Sequence, residues 1–332
     1  MERQAIINGN FDIWQRGTNF VNPAGGYTAD RFAVDIGAGG TLPTTLTHSR
    51  LTLTSGDIGG SFYAYRLTTD GAGSGFTGGA HYFLQQFIEN GTRFLCGSGK
   101  SITVSFYARS SIAGKRLGLS PAQFYGSGGS PSNAEVDLPG TTFTLSTSWR
   151  QYTHTFLTNT LVGKTFGTNN DDALAIRFGY MWASSWNTNF GTSTTETFGG
   201  SGTIDIAQVQ VCSGSIALPF QARLVPEEAE LCHRYFRVGG FGAVGRWDAA
   251  TNCQLFGQLD VAMRKTPTIS LNTTTPQVSE VGNTNRTGIA STITGQSSSE
   301  TGYQIFIDGF TGATVGSMAA LNSNPFNFDA EL

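Results

Sequence analysis

The chain has 332 residues, of which only 13% are charged, with a net charge of −3 and 44 glycines. This balance leaves no basis for electrostatic capture of nucleic acid or of an anionic membrane, since both need a basic patch and the densest basic group is the pair Lys115-Arg116. No apolar run approaches the roughly twenty residues of a membrane span, and 39% hydrophobic with 12% aromatic residues is too rich in core formers for disorder.

Low charge with abundant Gly, Thr and aromatics predicts an all-β chain of short strands joined by tight turns. Met1-Glu2-Arg3-Gln4 leads on without an apolar stretch, which predicts no signal peptide. Early strands are expected at residues 46–53 and 62–67. The clearest alternation is at residues 101–108, where Ile102, Val104 and Phe106 would face one core. Further strands are expected at 149–156, 174–180 and 203–211, with Gly-rich loops at 71–79 and 126–133. About eight such strands predict a jelly-roll β-sandwich over residues 1–222.

Pro226 suits the first turn of a helix, and Glu227, Glu228 and Glu230 lie at the positive end of its dipole. A short linking helix is therefore expected over 223–236. A smaller C-terminal β-domain follows over 237–332, with strands at 235–238, 255–263, 268–271, 289–293 and 303–310. Cys96, Cys212, Cys232 and Cys253 lack metal-ligand spacing. Cys96 and Cys212 read as buried thiols, and an approach of Cys212 to Cys232 is left open.

Two segments at the start carry a resemblance: Asn8-Gly9-Asn10-Phe11-Asp12-Ile13-Trp14-Gln15-Arg16-Gly17-Thr18 and Tyr27-Thr28-Ala29-Asp30-Arg31-Phe32. Blocks at 99–109, 206–211 with 214–220, 226–236 and 261–268 follow in the same order. Together they resemble bacteriophage and prophage tail-appendage proteins that begin with a jelly roll similar to carbohydrate-binding modules. Val211-Cys212 stands where that family usually has an acidic residue after Gln210, and Phe32 and Tyr107 stand where Trp is frequent. The resemblance implies a virion component on a tail or other external appendage, made in the host cytoplasm. It also implies homotrimers, contacts with other phage structural proteins, and recognition of a host surface glycan. A head-fibre, decoration or collar protein is the structural alternative, and a polysaccharide depolymerase the enzymatic one.

Glycan recognition needs aromatic faces beside hydrogen-bonding groups. The richest such segment is 180–190, and its candidates are Tyr180, Trp182, Trp186, Asn187 and Asn189. Arg246-Trp247-Asp248 with Asn252 is a weaker group. In the opening segment Trp14 and the pair Asp30-Arg31 read as scaffold. A structural Ca²⁺ would pair Asp12 with a position near Ala207, whose side chain cannot ligate. No cofactor, metal or catalytic residue is specified. Asp171-Asp172 would point apart on a strand, and Glu135, Asp137 and Glu196 are isolated. His48, His81, His154 and His233 lack any partner motif.

Overall fold

The computed structural model describes residues 4–280 and 284–332; the opening Met1-Glu2-Arg3 lies outside the described residues. The chain divides into two compact units, one ending at Glu228 and the other running from Ala229 to Glu331. In the first unit the strands are β1 Asn19–Val21, β2 Gly26–Tyr27, β3 Ala33–Gly37, β4 Leu46–Thr52, β5 Tyr63–Gly71 and β6 His81–Glu89. They continue as β7 Ser101–Ser110, β8 Arg116–Phe124, β9 Thr141–Thr144, β10 Arg150–Leu157, β11 Ala173–Trp182 and β12 Gly200–Ser213. A short helix α1, Gly91–Leu95, joins β6 to β7 and was not expected from the sequence.

These strands form two six-stranded antiparallel sheets, ordered β1-β4-β5-β12-β7-β10 and β2-β3-β6-β11-β8-β9. This is the expected jelly-roll sandwich. Alternation drives it: Ile102, Val104 and Phe106 from β7 meet Leu84, Ile176 and Phe178 from the opposite sheet in one core. Phe106 packs edge-on to Phe178 at 5.0 Å and lies parallel to Tyr152 at 5.8 Å.

The opening segment is locked by its own turns. Asn8 has a positive φ of 59°, and its amide donates to Ile13 O and Asp30 O while its Oδ1 accepts Ile13 N. Gly9 lies against the bulge of β12, where the register slips between Ala207 and Gln210. A Cβ at Gly9 would stand 2.1 Å from Val209 O, so only glycine fits. Trp14 is buried, donates its indole N–H to Phe11 O and stacks on Tyr65 at 5.4 Å. Asp30 accepts from Gln15 N and Nε2, and Arg31 donates to Phe87 O. The residues that identify the segment therefore build a corner of the sandwich.

Helix α2 spans Val225–His233, with Glu227 and Glu228 in its first turn. The second unit then adds β13 Phe236–Gly239, β14 Val244–Ala249, β15 Asn252–Gln258, β16 Thr268–Leu271 and β17 Gln277–Glu280. After these come β18 Thr284–Thr287, β19 Ile293–Ser298, β20 Gly302–Ile307, β21 Met318–Leu321 and β22 Phe326–Asp329. A three-stranded sheet, β13-β22-β16, and a seven-stranded sheet, β18-β17-β21-β14-β15-β20-β19, enclose a core around Trp247, Leu255, Ile305 and Phe328. The strand expected at 289–293 begins instead at Ile293, because Ala290 takes a positive φ of 51° and Gly288 and Ile289 are tied to Pro276 and Gly309. No helix among the described residues is long and apolar enough to cross a membrane.

A polar chain runs through the first core. Thr28 Oγ1 bonds Tyr65 Oη at 2.8 Å, and His48 bonds Tyr65 and Tyr82 through its two ring nitrogens, each at 2.7 Å. Burial pulls the His48 imidazole down to about 3, so it stays neutral in the fold while an unfolded chain would protonate it near pH 6.5. Between those two values the unfolded state binds more protons, so stability falls as pH falls. The thermal midpoint of the first unit should decline from about pH 6.5 downward. His48→Gln should flatten that slope in a melting series at stepped pH; an unchanged slope would show that His48 does not set it.

Candidate functional site

Period-two alternation turns the odd-numbered residues of β3, β6 and the body of β11 away from the core. Opposed in register across β3, β6, β11 and β8 lie Ala33, Gln85, Arg177 and Ser120. The next row is Asp35, Phe83, Gly179 and Gly118. On the other side of Arg177 the row is Phe87, Ala175 and Ala122.

Small residues decide what covers this face. A Cβ at Gly118 or Gly179 would strike the ring of Phe190, at 2.4 and 2.5 Å, so those two glycines form the seat of that ring. Phe190, Phe83, Trp182 and Trp186 make a separate apolar cluster there. Trp186 stands edge-on to Phe83 at 4.8 Å and donates its indole N–H to Gly79 O. At the other end Phe87 and Phe124 meet edge-to-face at 5.4 Å, above the alanines of β11.

Arg177 lies between these two aromatic groups. Its guanidinium is 5.3 Å from the Phe124 ring and 5.7 Å from the Trp186 ring. The side chain is only 5% exposed, and its Nε and Nη1 are buried with no hydrogen-bond partner. Beside it, Gln85 Oε1 and Ser120 Oγ are likewise buried and unpartnered. Burial draws the guanidinium down to about 10, opposed by the charge of Asp35. Asp35 itself faces His81 Nε2 at 3.4 Å, and the His81 contact holds its carboxyl below the usual range against the cost of burial. The result is a row of three hungry polar groups on an apolar, aromatic floor.

The candidates read from residues 180–190 divide. Trp186, Asn187 and Asn189 are half-buried in the loop above this face. Asn187 Oδ1 is unpartnered, whereas the Asn189 amide is committed to Val136 O. Tyr180 and Trp182 are wholly buried, which corrects their reading as ligand contacts. The strand runs on to Trp182, and a bulge between Gly179 and Met181 puts both Tyr180 and Met181 in the sandwich core. Trp182 turns to the other side, under Phe190 at 4.6 Å, with its indole N–H on Thr194 O. Trp247 is corrected in the same way, being fully buried in the second core beside Phe310, while Arg246 pairs with Asp248 on the surface.

Three of the acidic residues weighed for catalysis are held in ion pairs. Glu196 ties Lys115 and Arg116, Glu135 ties Lys164 and Tyr125, and Asp172 ties Arg93. Asp12 accepts from Asn10, and burial raises its pKa; Ala207 is buried. Among the described residues no three His, Cys, Asp or Glu side chains are grouped to hold a metal ion. All four cysteines are buried, and burial pushes the Cys96 and Cys253 thiols up to about 12.

Sequence reading missed Asp35, His81, Gln85, Phe87, Ser120, Phe124 and Arg177. One signal was present: Arg177 is the only charged residue in the otherwise apolar run 173–182.

No family model matches the chain, and no curated protein matches it. Solved structures do. The N-terminal cellulose-binding domain of a β-1,4-glucanase from Cellulomonas fimi is 14% identical, covering 51% of this chain and 88% of that one, with a TM-score of 0.30. A xylan-binding domain from Paenibacillus barcinonensis is 7% identical over 64% of this chain and 96% of that one, with a TM-score of 0.31. A putative sugar-binding protein from Bacteroides thetaiotaomicron is 13% identical over 64% of this chain and all of that one (100%), with a TM-score of 0.34.

Two opposed terms act on Arg177. Each cation–π contact gains about 0.5–2 kcal/mol, while leaving buried polar groups unpaired costs about 1–3 kcal/mol each. With two N–H groups unpaired and a charge desolvated, the cost wins. Arg177→Met should therefore raise the thermal midpoint of the first unit by a few degrees in calorimetry. A lowered midpoint would show the ring contacts to dominate.

Proposed function

We propose that the chain is a glycan-binding component of a phage particle, carried on a tail fibre, baseplate tip or other external appendage, and that it recognises its host without catalysis. The observation that carries the binding reading is the row Gln85, Arg177 and Ser120. Three neighbouring strands present polar atoms that have no partner in the protein, between two aromatic groups. A fold does not leave such atoms buried without cost. A sugar ring offers what they lack, with hydroxyls for the polar row and C–H faces for the rings of Phe87, Phe124 and Trp186. The virion setting and the trimer rest on the opening segments and the ordered blocks that follow them.

The structural alternative, a head-fibre, decoration or collar protein, is favoured by one feature of the second unit. The seven-stranded sheet exposes Val244, Phe256 and Met318 on neighbouring strands around the exposed Arg246, a partly apolar face suited to sister copies or other structural proteins.

Purified protein should bind isolated surface polysaccharide of a susceptible host, and saturating protein should slow phage adsorption. Trp186→Ala should weaken retention by roughly tenfold, as loss of one stacking ring implies, with the melting profile preserved. If neither polysaccharide nor a neutral oligosaccharide array retains the protein, the glycan reading is lost and the structural alternative gains. Shortening of the polysaccharide would favour the depolymerase.

A further inference from the structure

Resting on the glycan reading, we infer that the centre of this face accepts a sugar bearing a carboxylate. The three unpartnered groups are not equivalent. Gln85 Oε1 can only accept, and so takes a hydroxyl; Ser120 Oγ can donate or accept; Arg177 Nε and Nη1 can only donate. A neutral sugar offers the guanidinium only hydroxyl oxygens, which do not cancel its charge. A carboxylate cancels the charge and gives one of the two donors a charge-assisted bond, while a ring hydroxyl takes the other, since Nε and Nη1 lie on different edges of the guanidinium.

The surroundings strengthen that match. The charge of Arg177 is held in an apolar environment between Phe124 and Trp186, where attraction to an anion is far less screened than in water. The carboxylate that acts on it from within the protein, Asp35, sits one row away and is already turned to His81. The guanidinium is thus left with a charge and two N–H groups for an incoming anion. Nε and Nη1 have no solvent access, so entry displaces one of the half-buried rings beside them. Trp186 rides on a surface loop of two short 3-10 turns, Ser184–Trp186 and Thr188–Phe190, and is the ring that shifts, exchanging its bond to Gly79 O for contact with the entering sugar.

The test compares acids with their own neutral counterparts. Oligogalacturonate, oligomannuronate and sialyllactose would be titrated calorimetrically into the full chain, each beside its carboxyl-reduced form. At least one acid should bind roughly tenfold or more tighter than its reduced form. The preference should vanish in Arg177→Gln and survive in part in Arg177→Lys, with melting curves confirming that both fold. Binding should also change the indole fluorescence of the wild type, and Trp186→Phe should remove that change. Equal affinity for acid and reduced forms overturns the acidic-sugar assignment and leaves glycan binding standing. So does failure of all three acids where neutral glycans bind. Absence of binding to any glycan, acidic or neutral, removes both readings together.

Discussion

Strand β11 is buried along its whole length and on both of its faces, and the candidate site depends on that constraint. Its inner side chains, Leu174, Ile176, Phe178 and Tyr180, fill the sandwich core. Its outer ones are Ala173, Ala175, Arg177 and Gly179, three of them too small to shield anything. Rings from β6, β8 and the following loop lean over the small residues and close the surface. A single long polar side chain is caught among them. Burial of Arg177 is thus a by-product of covering glycine and alanine, and it gives this face electrostatic reach that an exposed arginine would lack.

The same economy of size governs the first corner of the fold. Gly9 permits the N-terminal segment to touch the β12 bulge, and Asn8 replaces missing backbone partners with its amide. Phe11, Trp14 and Tyr65 then pack as one aromatic group. The opening segment is distinctive because many conditions meet in it, each set by packing. The residues of the candidate site are under no such joint constraint, and they are spread over five elements of the chain.

Much of the sandwich was legible. The runs at 46–53, 101–108, 149–156 and 203–211 became strands within a few residues of expectation, since apolar and polar residues alternate in them, even in β7 and β12, which are largely buried on both faces. β6 and β8 were not legible. His81–Glu89 does not alternate, because Tyr82-Phe83-Leu84 and then Gln85-Gln86 stand side by side in it. Arg116–Phe124 contains Gly118 and Pro121, which argue against a strand; β9 pairs only as far as Leu119, leaving Pro121 at an edge where proline is tolerated. The site was half-visible for the same reason. Trp186 and the two asparagines stood out as aromatics and amides in a loop, whereas Gln85, Ser120 and Phe124 lie on the two strands that were missed. Trp182 looked like a loop residue only because the expected strand, 174–180, stops two residues short of the observed end.

One further feature bears on how such a surface changes over time. Trp182 and Glu196 exchange backbone hydrogen bonds, N to O in both directions at 3.0 Å, and Glu196 is anchored in turn by Lys115 and Arg116. The segment between them is therefore pinched shut at its base like a drawstring. Whatever lies beyond the pinch can be exchanged, lengthened or re-lettered while the sheets beneath remain in register. The loop over the candidate face is held at its base, so its length and sequence can vary while the strands that anchor it keep their pairing.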